Sequence, residues 1–193
     1  MSPSHDSENT MHHFRDADEL ITHLQVLGRT VSVESDLMTE LDHGLQTAAL
    51  LRHSDADDLE LQIAGLVHDV AHPWDGPGQP RHGTMGADAV RGLLGDRVAS
   101  LVAGHVPAKR YLVATLPEYF ALLSPDSVMT LEQQGGPMDD TEVAEFEADP
   151  EHIGMVALRA ADEGAKVPGA VVPGLEFWVP LIRSLSAATT PAR

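Results

Sequence analysis

The chain has 193 residues, enough for one domain of ordinary size, and 42% of them are apolar, which supplies a core and excludes a disordered chain. A formal charge of −18 excludes nucleic acid and anionic membrane surfaces as partners of the surface as a whole. There is no cysteine, so disulfides and thiolate metal sites are excluded, and with Lys109 and Lys166 as the only lysines an anionic substrate must be held by a few local cations or a metal.

Met1 to Asn9 is polar and acidic and lacks a signal-peptide pattern, so residues 1–15 are expected to be a disordered tail. A single domain is expected over 16–187, with a second short tail at 188–193. No apolar run reaches the length of a membrane span, and the cytoplasm is the expected compartment. Apolar spacing at three and four residues predicts helices over 16–27, 36–52 and 57–71, then 85–94 and 97–106 joined at Gly95–Asp96. A helix is expected over 107–123, with Pro117 opening a new turn because proline suits a first helical turn and not an interior. Residues 138–147 read as a solvated acidic segment, and 150–164 and 175–187 as the last helices. The Pro/Gly clusters at 73–83, 135–137 and 168–174 read as loops. No segment alternates like a strand, so the expected class is all-α.

Six residues stand out for chemistry: His43, His68, Asp69, His82, His105 and Asp162. His68 and Asp69 end the apolar run Gly65-Leu66-Val67, where an unpaired carboxylate costs several kcal/mol of desolvation. A divalent metal is a suitable partner, and imidazole with carboxylate suits Zn, Mn, Fe, Co or Ni better than Ca or Mg. An isolated histidine on an apolar face is more often a satisfied core residue. Of the eleven histidines, His5, His12, His13, His23, His53 and His152 have no distinctive setting and read as surface or packing residues.

The order His43, His68-Asp69, Asp162 resembles the H…HD…D signature of the HD-domain superfamily, and His82 and His105 resemble the extra ligands of its two-metal members. The segments from His105 to Leu112, Ser127 to Gly136 and Arg159 to Asp162 are similar to those of the PhnZ-type phosphonate oxygenases, a likeness covering roughly residues 37–166. These proteins are similar in fold to myo-inositol oxygenase. The resemblance implies an HD helical bundle with a dinuclear centre: one iron on His43, His68, Asp69 and Asp162, the other on Asp69, His82 and His105, with Asp69 bridging. It implies an Fe(II)/Fe(III) pair, O2 as cosubstrate, and oxidative cleavage of a carbon–phosphorus bond with release of phosphate. His72, Lys109, Ser127, Thr130 and Arg159 match positions that grip a small anionic organophosphonate, with His72 and Lys109 acting catalytically. Spacing is compatible with this, since Lys109 lies one helical turn after His105 and Arg159 one turn before Asp162. Helix capping would also account for Ser127 and Thr130.

The chain departs from the family where aminoethylphosphonate enzymes carry a Tyr and a Glu before the first histidine. Those positions fall here on Val33 and Asp36. Asp36 is therefore a candidate for a substrate ammonium, with Glu34 or Glu40 as substitutes, unless no ammonium is present. The expected substrate is a small 1-hydroxyphosphonate. A metal-dependent phosphohydrolase acting on a nucleotide or other phosphomonoester is the rival on the same scaffold, and a non-catalytic binding module is a second. A homo-oligomer is left open, through the apolar residues of the last helix.

Overall fold

The computed structural model describes residues 12–33, 35–75 and 81–189. The expectations for residues 1–11, Glu34, 76–80 and 190–193 lie outside the described residues. Among the described residues there are ten α-helices and no strand. They are α1 (Ala17–Leu27), α2 (Glu40–Ser54), α3 (Leu59–Val67), α4 (His72–Asp75), α5 (His82–Leu94), α6 (Asp96–Thr115), α7 (Pro125–Gln133), α8 (Asp140–Ala148), α9 (His152–Gly164) and α10 (Leu175–Thr189). A 3-10 turn, Tyr119–Leu122, lies between α6 and α7. No described helix is long and apolar enough to cross a membrane.

The differences from the sequence-based boundaries have local causes. α2 opens at Glu40 rather than Asp36, because Thr39 and Asp42 form a capping box and a bridge between Val31 and Thr39 keeps the preceding turn out of the helix. The helix expected to run to Ala71 stops at Val67, and a new one begins at His72. Pro73 has no N–H to offer the Asp69 carbonyl, so a continuous helix is disfavoured there. α5 begins at His82, three residues earlier than its spacing suggests. The break expected at Pro107 is absent: α6 is one helix that runs through Pro107, and the chain after Leu116 forms the 3-10 turn instead of more α-helix. Pro107 is half-buried, and its ring costs the helix one backbone bond without ending it. The acidic segment after Met138 is a helix, α8, started by a capping box between Asp139 and Glu142 and held down by Phe146 against Tyr111. α7, not expected from periodicity, starts at a Ser124 cap with Pro125 in its first turn.

α3 packs against α2, α6 and α9, and α9 also packs against α2 and α6. α5 lies on the outer side of α6, and α10 closes over α5, α1 and α3. On α10, Trp178 and Ile182 are fully buried while Phe177 is exposed, so this helix faces the core through one stripe. Two close approaches set the positions of the turns that carry His43 and His105. A Cβ on Gly44 would sit 2.5 Å from the Leu66 carbonyl oxygen, so glycine lets α2 meet α3 beside His43. A Cβ on Gly104 would collide with the Met155 side chain, so glycine lets α6 meet α9 beside His105. The end of the expected N-terminal tail is packed: Phe14 donates its backbone N–H to Ala89 at 3.1 Å, and His12 stacks on Trp74.

Candidate metal centre and anion seat

The six expected ligands converge, and all are buried. His43 comes from the first turns of α2, His68 and Asp69 from the end of α3, His82 from the start of α5, His105 from α6 and Asp162 from α9. Asp69 stands between two groups of histidines, one on each carboxylate oxygen. Its Oδ2 lies 3.0 Å from His68 Nε2 and 3.5 Å from His43 Nε2. Its Oδ1 lies 3.5 Å from His82 Nε2 and 3.7 Å from His105 Nε2. Asp162 Oδ1 completes the first group, 3.1 Å from His43 Nε2 and 3.8 Å from His68 Nε2.

The imidazoles are held from behind. His43 Nδ1 donates to the Ala165 carbonyl at 3.1 Å, His68 Nδ1 to Gly65 at 2.8 Å and His105 Nδ1 to Val102 at 2.6 Å. A proton on Nδ1 leaves Nε2 with a lone pair directed inward, which is the tautomer a metal requires. His68 Nε2 is a buried nitrogen that makes no hydrogen bond despite lying beside Asp69. A buried ring nitrogen without a hydrogen-bond partner carries a penalty of about 1–3 kcal/mol, which a metal ion at that nitrogen would remove. Nitrogen and carboxylate donors in this number fit a pair of borderline divalent ions.

The electrostatics state the same need. Burial alone would lower His43 and His68, but Asp162 and Asp69 outweigh it, holding His43 well above its ordinary value and His68 at about 9. Burial would raise Asp69 and Asp162. Instead Asp69 is pulled well down, first by His68 and then by His72, and Asp162 first by Arg159 and then by His43. His105 is pushed well below the usual histidine range by burial, with His82 and His68 adding repulsion. Protons on His43 and His68 balance the two carboxylates, and bound metal would replace them.

Beside the metal centre is a second cluster, on α6, α7 and α9. Lys109 is buried and donates from Nζ to Thr130 Oγ1 at 2.9 Å and to the Ser127 carbonyl at 3.4 Å. Arg159 is also buried: one terminal nitrogen donates to Asp162 Oδ2, the other to Glu163 and, at 3.3 Å, to Ser127 Oγ. Its Nε donates to the Tyr119 hydroxyl at 2.9 Å. The structure thus brings Lys109, Ser127, Thr130 and Arg159 together next to Asp162, one of the candidate ligands. Sequence reasoning missed Tyr119, Glu163 and Lys166. Lys166 Nζ donates to Glu163 at 3.1 Å and to Ser127 Oγ at 3.3 Å. Arg159 and Glu163, four apart on α9, were the available signal; Lys166 lies just beyond the end of that helix.

Two expected contacts fall differently. Asp36 is exposed, on the turn before α2. Glu40 is the buried carboxylate: its Oε2 accepts from His72 Nδ1 at 3.1 Å and its Oε1 from the Val33 N–H at 3.0 Å.

The family model for the HD domain matches residues 40–142, and the chain belongs to that family. The match ends before α9, which supplies Asp162 and Arg159. More particular relatives are two named dioxygenases. The chain is 38% identical over 162 residues to hydroxymethylphosphonate dioxygenase of Gimesia maris, covering 76% of this chain and 77% of that one. It is 33% identical over 156 residues to [1-hydroxy-2-(trimethylamino)ethyl]phosphonate dioxygenase (glycine-betaine-forming) of Leisingera caerulea, covering 77% and 79%.

Proposed function

We propose that this protein is an O2-dependent diiron oxygenase that oxidatively cleaves the carbon–phosphorus bond of a small 1-hydroxyphosphonate and releases phosphate. The observation that carries this reading is the juxtaposition of Asp69, with histidines on both of its oxygens, and a cluster of buried Lys109, Ser127 and Arg159 with half-buried Thr130. Relatives alike over three quarters of the chain are named for that chemistry, which favours it over hydrolysis of a phosphomonoester.

His43, His68, Asp69 and Asp162 would hold one iron, and Asp69, His82 and His105 the other. When bound, the Fe(II)/Fe(III) pair supplies activation of O2 and oxidation of the substrate carbon. The chain's own residues bind and orient. Lys109 and Arg159 compensate the phosphonate dianion, and Arg159 offers a planar fork that Tyr119 and Asp162 fix in place. The Ser127 and Thr130 hydroxyls add neutral donors to the same seat. Burial keeps bulk water from the reacting carbon.

Engagement of Glu40 with His72 and the Val33 N–H, and exposure of Asp36, leave neither carboxylate to receive a substrate ammonium. Glu34, the third candidate, lies outside the described residues; the engagement of Glu40 and the 38% identity to a hydroxymethylphosphonate dioxygenase favour a substrate without a cationic tail, of which hydroxymethylphosphonate is the simplest. Its oxidation balances as one hydroxymethylphosphonate and one O2 giving one formate and one phosphate. The test is O2 uptake by the iron-loaded protein, with formate and phosphate counted against it. Hydroxymethylphosphonate is expected to give a ratio of one to one to one, and a trimethylammonium-bearing hydroxyphosphonate at least tenfold less turnover. Equal turnover of the two compounds would overturn the substrate assignment.

A further inference from the structure

Three histidines of the site, His43, His68 and His105, are anchored from behind by a backbone carbonyl, but the three carbonyls differ in what holds them. Those behind His68 and His105, of Gly65 and Val102, lie within α3 and α6, the helices that lead to these histidines. The carbonyl behind His43 is that of Ala165, which lies past the end of α9 at Gly164, in a stretch outside any helix. Such a stretch takes its position from the few bonds that hold it. Lys166 bonds to Ser127 and Glu163, but through a flexible four-carbon stem that fixes its own backbone poorly. Val167 is clasped at both backbone groups by one side chain: its N–H donates to Gln46 Oε1 and its carbonyl accepts from Gln46 Nε2, each at 3.1 Å. A carboxamide presents a donor and an acceptor side by side, so it can pair with a residue's backbone as a neighbouring strand would. Gln46 is buried, and it stands three residues after His43 on the same face of α2. The two side chains therefore reach one segment from one helix, His43 at Ala165 and Gln46 at Val167.

We propose that Gln46 is a positioning residue: its clasp on Val167 fixes the 165–167 segment, so that the Ala165 carbonyl holds His43 in the tautomer and ring orientation a metal requires. This rests on the two-metal reading above. The group behind a ligand histidine sets its tautomer and basicity, and loss of such a group lowers metal affinity about 10- to 100-fold. At His43 that group has no helix of its own, so the effect passes to the side chain that secures it. Gln62 is the internal comparison. It is also buried and also holds a backbone carbonyl, that of Asp55 at 2.8 Å, but it stands toward the start of α3, whose other end carries His68.

The test is Mn(II) binding to the metal-stripped full-length protein by calorimetry, with the visible bands of the Co(II)-loaded protein as a readout of coordination geometry. Wild type is expected to bind two Mn(II) per chain. Gln46→Met, which keeps the side-chain length and loses both bonds, should weaken one of the two about 10-fold, leave the other unchanged and shift the Co(II) bands. Gln62→Met should keep the Mn(II) affinities and Co(II) bands of wild type. Amide hydrogen exchange at Val167 in wild type needs no variant: the residue is 55% exposed, yet its N–H, held by Gln46, should exchange roughly 100-fold more slowly than in a free peptide. Wild-type affinities and bands in folded Gln46→Met, or unprotected exchange at Val167, would overturn the assignment and leave the metal centre standing. Equal losses of affinity in Gln46→Met and Gln62→Met would also overturn it, by reducing Gln46 to general stability. A wild type that binds no Mn(II) would overturn the metal-centre reading and this assignment with it.

Discussion

The two ends of the α3–α6–α9 trio carry nearly the same chemical groups in opposite surroundings. At one end Arg97, in the first turn of α6, pairs with Asp58 at 2.7 Å, Glu60 at 3.2 Å and Glu151 at 3.0 Å, the carboxylates standing at the starts of α3 and α9. At the other end Arg159 grips Asp162 and Glu163 next to His68, Asp69 and His105. The Arg97 side chain keeps 31% of its surface in water, and that of Arg159 keeps 5%. Water screens the first network, so it fastens helix ends with little energy per pair. The second is shielded, so each charge must be matched, and the mismatch left at Asp69 and the histidines is what a metal ion corrects.

The strongest way to break this contrast is Asp69→Ala. It removes the group on which both histidine clusters converge, and bound metal should fall to near zero with complete loss of turnover, read by elemental analysis of the purified protein. Next is Arg159→Gln, which takes the guanidinium from buried Asp162 and leaves Glu163 to Lys166 alone. A loss of about 3–5 kcal/mol in chemical denaturation is expected, with a raised KM for the phosphonate in protein that remains folded. Arg97→Gln at the exposed end should cost only about 1 kcal/mol and leave turnover unchanged. The smallest effect is a pH dependence. A hydrogen bond from Arg97 holds Asp58 below its ordinary carboxylate value, outweighing burial. A group lowered on folding stabilises above its unfolded value, near 4, and loses that contribution as pH falls through the folded one. Asp58→Asn retains an N-cap side chain for α3. Its deficit relative to wild type should therefore be present at pH 5 and narrow below pH 4, measured by urea midpoints.

The six candidate ligands stood out in the sequence because they are polar residues set among apolar helical runs, as His68-Asp69 after Leu66-Val67 shows, and the structure brings them together. The helical class was legible for the same reason. The cluster around Lys109 and Arg159 was half legible. Lys109 and Arg159 lie one turn from His105 and Asp162, but Tyr119, Glu163 and Lys166 resemble ordinary surface residues in an acidic chain until the 3-10 turn and the end of α9 bring them together. The helix break before His72 was not legible, because a continuous apolar pattern over 57–71 does not reveal it. The pairing of Glu40 with His72 spans 32 residues and depends on how α2 meets α4. Pro107 misled in the other direction, since a proline that ends many helices is accommodated within α6.

The most direct measurement is phosphate release from hydroxymethylphosphonate by iron-loaded protein, in air and under strict exclusion of O2. Phosphate that appears in air and is absent without O2 is the expected result, and it would establish oxidative carbon–phosphorus cleavage at this centre. No phosphate in air, together with O2-independent release from a phosphomonoester, would contradict the oxygenase reading and make the same histidines and aspartates the site of a hydrolase.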